Sequence, residues 1–345
     1  MRAAVLRQYN ADLSIEDLPD PACPPDGVVL KVLGCGVCRS DWHGWTGEHP
    51  RVKPGQIGGH EYCGEVVEAG PLARHRPGER LIAPFILACG SCPSCQAGHS
   101  NTCPNQRLPG FSEPGAFAEY VAVHFDHNLT PLPETMSPML AAGLGCRVTT
   151  AWHALTGRAS VQPGEWLAVH GTGGIGLSVL LLGRALGARV VVVDVVPEKL
   201  RHALSLGAEA AIDAREGDTA AAIREITGGG AHVSVEALGI AVTANASIEC
   251  LRPLGRHVQV GLPVGHSARM EINMNAVYMG NLALFGTRGM PAWRYPSLLS
   301  FIEGAGVDLM PLIARQVAVS DVSAELRAFN GPAPPGVAVV TDFLN

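Results

Sequence analysis

The sequence has no run of lysine or arginine, no basic-then-apolar segment at its start, and no apolar stretch long enough to cross a bilayer. Each absence removes a class of function. A formal charge of −6 at pH 7, without a cationic block, argues against nucleic acid or an anionic membrane as the main partner. The opening "MRAAVLRQYN" lacks the pattern of a secretory signal, so a cytoplasmic protein is expected. The most apolar stretch, "IGLSVLLLGRALGARVVVVDVV", is interrupted by Arg184, Gly187 and Arg189 well short of the roughly 20 residues a membrane span requires. Internal repeats are missing too, and the only compositionally biased segment is the Pro-rich "GPAPPG".

Cysteine, by contrast, is plentiful. Ten cysteines in a 345-residue chain without an export signal read as metal or catalytic residues rather than disulfides. Cys89, Cys92, Cys95 and Cys103 follow a C-x2-C-x2-C-x7-C pattern, with Gly90 and Gly98 supplying permissive turns. Four thiolates at about 2.3 Å from a zinc ion make a closed tetrahedral site with no position for substrate. An iron–sulfur cluster uses the same ligand type. Either way the lobe at about residues 88–104 is expected to be a structural staple.

The chain has room for two domains. Up to about residue 147, short apolar runs such as "VVLKVLG", "EYCGEVVEAG" and "AEYVAV" alternate with turn signals such as "PPDG" and "RPGE", the mark of a barrel-like β unit. From about 148 to 285, "WLAVH", "RVVVVDV", "HVSVEAL" and "HVQVGL" are separated by helix-like segments, which predicts a parallel α/β sheet. The remainder, 286–345, offers a helical "YPSLLSFIEGA" and an apolar strand "GVAVVTDF".

Within the α/β region an apolar strand runs into "GTGGIG", a helix follows, and a second strand ends on an acid about twenty residues later. That context turns a weak G-x-G-x-x-G match into a dinucleotide-binding fingerprint. Gly171 permits the tight turn, Gly173 lets the pyrophosphate approach the backbone, and Gly176 lets helix and strand pack closely. Thr172, Gly174 and Ile175 complete the loop, whose helix N-terminus offers N–H groups to the phosphates. Asp194 is placed to accept the adenosine ribose hydroxyls and to repel the extra phosphate of NADP, so NAD is the expected cofactor. Lys199 is a candidate adenosine-side contact.

Two further segments, "GCGVCRSDWH" and "GGHEYCGE", together with Cys146, carry potential metal ligands that spacing alone does not join. Taken with the four-cysteine loop and "GTGGIG", they resemble the zinc-containing medium-chain alcohol dehydrogenases of the medium-chain dehydrogenase/reductase superfamily, including the shorter microbial type. The resemblance runs in order through nearly the whole chain. It implies an α/β protein with a GroES-like β-rich catalytic domain (1–147 and 286–345), a Rossmann domain with a doubly wound parallel sheet (148–285), and a catalytic zinc besides the structural one. By the same resemblance Cys38, His60 and Cys146 are the catalytic zinc ligands, Glu61 a nearby acid that approaches the metal during ligand exchange, and Asp41 the carboxylate that orients His60. Ser40 corresponds to the hydroxyl that takes the alcohol proton and His43 to the end of a relay to solvent. Thr150 and Ile175 fall beside the nicotinamide, and Trp45 in the substrate pocket, with a place in the core as its alternative.

One departure stands out. Many members of the resembled family carry a basic residue in the last strand, whereas "GVAVVTDF" has none; Arg147, directly after Cys146, is the candidate replacement, pairing with Glu61 or with the cofactor pyrophosphate. The implied activity is interconversion of an alcohol with its aldehyde or ketone by hydride transfer to or from NAD, in a homotetramer or homodimer. A polyol or amino-alcohol dehydrogenase of the same family is the alternative. A zinc-free enoyl or quinone reductase has no need of Cys38, His60 and Cys146, and a non-catalytic zinc- and nucleotide-binding sensor has no use for Ser40 and His43.

Overall fold

A computed structural model describes residues 1–331 and 336–345; the central residues of "GPAPPG" lie outside that range. The chain divides into two compact units, one formed by Met1–Thr149, Gly289–Leu299 and Ile313–Asn345, the other by Thr150–Arg288 and Ser300–Leu312. Residues 300–312, grouped by sequence with the first region, belong to the second, where the Phe301 ring packs 4.7 Å from Trp152. No helix among the described residues is long and apolar enough to cross a membrane.

The second unit is built on a six-stranded, wholly parallel sheet. Its strands lie in the order Ala210–Asp213, Arg189–Asp194, Trp166–His170, Ala231–Glu236, Leu251–Gln259 and Ala283–Gly286. Numbered by their own sequence order this is 3-2-1-4-5-6, the doubly wound Rossmann arrangement. Periodicity revealed the four inner strands but not the two edge strands, which have only four residues each. The central strands bury Leu167, Ala168, Val169 and Val190 to Val193, as expected of a sheet covered on both faces. The helix Gly174–Ala185 covers one face with Leu177, Leu180 and Leu182, all fully buried or nearly so. Each such leucine contributes about 1.5–3 kcal/mol by leaving water.

This sheet also buries two histidines. His170 ends the first strand, with Nε2 3.8 Å from Cys250 Sγ, and His257 receives Ser247 at 3.0 Å and Ser234 at 3.3 Å through Nδ1. Burial, reinforced by His257, drives the His170 imidazole down to about 3, and burial drives His257 down to about 4. Both are therefore neutral in the folded protein at pH 5, whereas the unfolded chain protonates them below its ordinary 6.5. Their contribution is fully present above pH 6.5 and is lost as pH falls from there toward the folded values. Between pH 6.5 and 5 the loss is about 2 kcal/mol per histidine. Thermal unfolding followed from pH 7 to pH 5 should show a falling midpoint, and His170→Leu should flatten that dependence by about half of the histidine share. An unchanged slope in the variant would remove His170 from the account.

The first unit carries a seven-stranded, mainly antiparallel sheet among its described residues. Val28–Gly36 lies at its centre, flanked by Glu61–Ala69, Val337–Asp342 and Tyr120–Val123. These strands feed a core that includes Leu30, Tyr62 and Val340, joined by Leu81 of the strand Arg80–Ala83 and by Phe117 from a loop. This is the β-rich unit expected of the first region.

Candidate metal centre and dinucleotide loop

The pairing of Val28–Gly36 with Glu61–Ala69 does what sequence spacing could not. Gly36 lies opposite Glu61, so Cys38, just past one strand, meets His60, just before the other. Gly59 turns the chain into His60 with φ +88°; a side chain there would also strike the Phe117 backbone and Cys35. Cys146 arrives on a widened, π-type turn, Leu144–Val148, of the kind found at functional sites. Ligand atoms of Cys38, His60, Glu61 and Cys146 all lie within 4.8 Å of one another.

Asp41 organises this cluster. Its Oδ2 accepts the Cys38 backbone N–H at 3.0 Å, while Oδ1 accepts the Gly59 N–H at 3.1 Å and sits 2.9 Å from His60 Nδ1. Bonding at Nδ1 leaves Nε2 as the imidazole's remaining donor atom, and that atom is fully buried without a partner among the described residues. A buried nitrogen without a hydrogen bond of normal geometry, beside two thiols, fits a metal ion. Electrostatics agree. The hydrogen bond from Cys146, assisted by His60 and opposed by burial, holds the Cys38 thiol well below its ordinary range. The same bond and burial push Cys146 well above it, as two crowded thiols share one negative charge until a cation neutralises both. Burial opposes the His60 cation, but Asp41 and Cys38 outweigh it and raise the imidazole well above its usual value.

Around the cluster, Arg147 is buried and paired with Glu61: Nη2 donates to Oε1 at 2.8 Å. Of the two partners expected for Arg147, the structure shows Glu61. Burial raises the Glu61 carboxyl well above its usual value even though Arg147 pulls it down. Ser40 is half-buried on the helix Arg39–Trp45, and His43 on the same helix has Nδ1 2.6 Å from Glu48 Oε2. Glu48 carried no signal in the sequence. Phe111 and Phe85 also went unnoticed there, because aromatic residues in a β unit read as core; their rings lie 4.6 Å and 5.9 Å from that of His60.

Trp45 requires a correction. It is 4% exposed, packs in the main core of its unit, and donates its indole N–H to the Ala11 carbonyl at 2.6 Å. Its bulk packs in the core and its one polar atom is bonded, which is the core position rather than the pocket one.

The four-cysteine lobe closes as its spacing suggested. Cys89, Cys92, Cys95 and Cys103 form a second group with sulfurs within 4.8 Å, Cys92 and Cys95 being 3.4 Å apart. Gly90 (φ +75°) and Gly98 (φ +84°) take the left-handed turns. Backbone and side-chain donors of Ser91, with the Cys92 N–H, pull the Cys89 thiol down to about 5, preparing it to bind metal as a thiolate.

In the second unit, Gly171 has φ +96°, and a side chain at Gly176 would overlap the Gly171 carbonyl oxygen, so both glycines are required by the turn. Gly173 caps the helix Gly174–Ala185 and is exposed, with open space where a side chain would stand; Gly174 and Ile175 follow, half-buried, in the first turn. Asp194 lies beside this loop: Oδ2 accepts the Thr172 N–H at 2.8 Å and its hydroxyl at 2.7 Å, while Oδ1 accepts the N–H groups of Val195 and Val196. Lys199 is half-buried in the first turn of Pro197–Ser205, and Thr150 is buried. Glu236, fully buried at the end of the neighbouring strand, accepts Leu238 N–H, Gly239 N–H and the Thr243 hydroxyl and so fixes the next turn.

Comparison with known proteins agrees with this arrangement. Residues 24–134 match the alcohol dehydrogenase GroES-like domain, and residues 174–304 match the zinc-binding dehydrogenase family. An alcohol dehydrogenase of Geobacillus stearothermophilus is 35% identical over 269 residues, which cover 76% of this chain and 78% of that protein. An L-threonine 3-dehydrogenase of Rhizobium etli (strain CIAT 652) is 30% identical over 332 residues, 93% of each chain. A protein from Sinorhizobium meliloti 1021, solved with NADP bound, superimposes with a TM-score of 0.86 at 29% identity, covering 99% of this chain and 98% of that one. The chain belongs to the zinc-containing medium-chain alcohol dehydrogenase family and is a zinc-dependent alcohol oxidoreductase.

Proposed function

We propose that the protein interconverts an alcohol and its aldehyde or ketone with NAD as hydride carrier, using two zinc ions per chain. Cys38, His60 and Cys146 hold the catalytic ion, and Cys89, Cys92, Cys95 and Cys103 the structural one. The observation that carries this reading is the unpartnered His60 Nε2 facing Cys38 and Cys146, with Nδ1 anchored on Asp41. When bound, zinc supplies Lewis acidity toward the substrate oxygen and NAD supplies the hydride acceptor.

The chain's own residues do the rest. Asp41 fixes the imidazole in the orientation a metal requires. Ser40 accepts the substrate hydroxyl proton as it gives up its own along the relay toward His43, which is oriented by Glu48 and releases a proton to solvent. The glycine loop and the N-terminus of Gly174–Ala185 bind the pyrophosphate, Thr150 and Ile175 flank the nicotinamide, and Lys199 contacts the adenosine side. Asp194 favours NAD because its carboxylate repels a 2′-phosphate; the relative solved with NADP makes this the point to test.

Phe85 and Phe111 beside His60 favour a less polar alcohol. The second reading, an amino-alcohol or polyol substrate, is favoured by the match to L-threonine 3-dehydrogenase over 93% of the chain. A small-molecule substrate, a cytoplasmic location and no nucleic-acid or membrane partner complete the proposal. A homodimer or homotetramer is supported by the exposed Tyr278 and Met279 leading into the edge strand Ala283–Gly286.

The test is NADH formation at 340 nm from primary, secondary, benzylic, amino and polyhydroxy alcohols, repeated with NADP. Turnover should require NAD, vanish on chelation and return with zinc. Equal rates with NADP would refute the role given to Asp194, and turnover indifferent to zinc would refute the metal assignment.

A further inference from the structure

The four-cysteine lobe meets the segment Gly289–Leu299 of its own unit at two points. At its base lie Phe85 and Ile86, which lead into Cys89. Gly289 packs so closely there that a Cβ on it would stand 2.9 Å from Ile86 Cδ1 and 3.0 Å from the Phe85 ring. Farther along the lobe, between Cys95 and Cys103, the Gly98 carbonyl accepts the indole N–H of Trp293 at 2.9 Å. Met290 and Pro291, between these contacts, are buried, and Tyr295, just beyond them, is fully buried. Trp293 itself is 65% exposed, so its own burial gains little and the bond to Gly98 is what its position serves. Phe85 carries the base of the lobe to the metal centre, its ring standing T-shaped to that of His60 at 5.9 Å.

We propose that Trp293 is a positioning residue for the alcohol site: by tying the lobe to the segment that packs on Phe85, it fixes the wall that Phe85 offers to a substrate's side chain. The lobe then does more than close its own loop, because its state is felt at Phe85 through Trp293 and Gly289. The inference rests on the alcohol reading above and names a residue that shapes its pocket. The effect falls on binding. A wall meets the substrate side chain equally in the ground and transition states, so displacing it raises KM without lowering kcat. It also falls only on alcohols large enough to touch the wall.

The test compares wild type with Trp293→Phe, which keeps a ring but no N–H, and with Trp293→Ala, on the smallest and the bulkiest alcohols that wild type oxidises. KM for the bulky alcohol should rise about fivefold in both variants, within the span of one neutral hydrogen bond, while KM for the small alcohol, KM for NAD and kcat stay within about twofold. Adding Trp293→Ala to Cys103→Ser should raise KM no further, because the lobe that Trp293 grips is already loose. Fluorescence supplies a readout independent of turnover. Trp293 is the one exposed tryptophan of the five, so acrylamide quenching of the most accessible fraction reports it, and that fraction should vanish in Trp293→Phe. Cys103→Ser should increase the quenching as the lobe releases the indole, and Cys38→Ala should not. Equal KM changes for the small and the bulky alcohol, or none for either, would overturn the proposal, as would quenching unmoved by Cys103→Ser. Wild type that oxidises no alcohol would overturn the alcohol reading and the pocket role with it, while the quenching still decides whether Trp293 holds the lobe.

Discussion

Replacing Cys38 by alanine should lower alcohol turnover about a thousandfold. Lewis-acid stabilisation is worth several kcal/mol of the barrier, and about 4 kcal/mol corresponds to three powers of ten. Cys38 is the ligand whose backbone is bound by Asp41 and whose sulfur faces both His60 and Cys146. Without its thiolate, one sulfur and one imidazole remain, too few to hold an open tetrahedral site. The loss should be confined to chemistry. The glycine loop lies in the other compact unit, so NADH binding, followed by fluorescence quenching, should stay within about twofold of wild type, well under the tenfold that 1.4 kcal/mol of lost binding would cost. Zinc content should fall by one ion per chain. A variant that lost one zinc yet kept full turnover would show that the chemistry lies elsewhere.

Cys103→Ser should destabilise the protein more than any other single cysteine change. The apolar cluster of this lobe consists of Ala88 and the four cysteines themselves, with Cys103 completely buried at its centre. That cluster is too small to hold residues 88–104 by itself, so a metal bound by the four cysteines would make metal binding and local folding one event. Structural zinc contributes on the order of 10 kcal/mol to such modules. Only part of that is felt globally, because the lobe can unfold while the large β core persists. The expected result is a thermal midpoint lower by about 5–10 °C, scaling as a loss of a few kcal/mol in a chain of this size. Limited proteolysis should cut within 88–104 in the variant and not in wild type. Cys23→Ser, removing a half-buried thiol outside both clusters, is the control. A midpoint unchanged in Cys103→Ser would mean that the lobe is held by something other than its metal.

How much of this was legible in advance differs between the two metal clusters, and the reason is chain separation. Cys89 to Cys103 lie within one loop, so their spacing alone brings the sulfurs together, and the same holds for Gly171, Gly173 and Gly176 around one turn. Asp194 is farther away but still readable, since one strand–helix–strand unit sets its distance from the loop. Cys38, His60 and Cys146 were connected only by resemblance. Their meeting depends on the antiparallel register that sets Gly36 against Glu61, and on the turn that carries Cys146 in from more than eighty residues away.

Residues whose role depends on a partner in space were invisible or misplaced for the same reason. Trp45 was placed in the pocket by resemblance alone but donates to Ala11, because the helix Arg39–Trp45 turns that side toward the core. Glu48, Phe85 and Phe111 have no motif. Arg147 had two possible partners, and its pair with the buried Glu61 is set by a contact across the fold that no spacing announces. The segment 300–312 changed units because Phe301 found Trp152. By itself the sequence determined everything that short-range geometry governs: the alternating parallel unit, the dinucleotide loop and the four-thiolate lobe. Tertiary structure alone decided which distant side chains share a dry, low-dielectric space, and there the strength of a charge depends on what else is buried beside it.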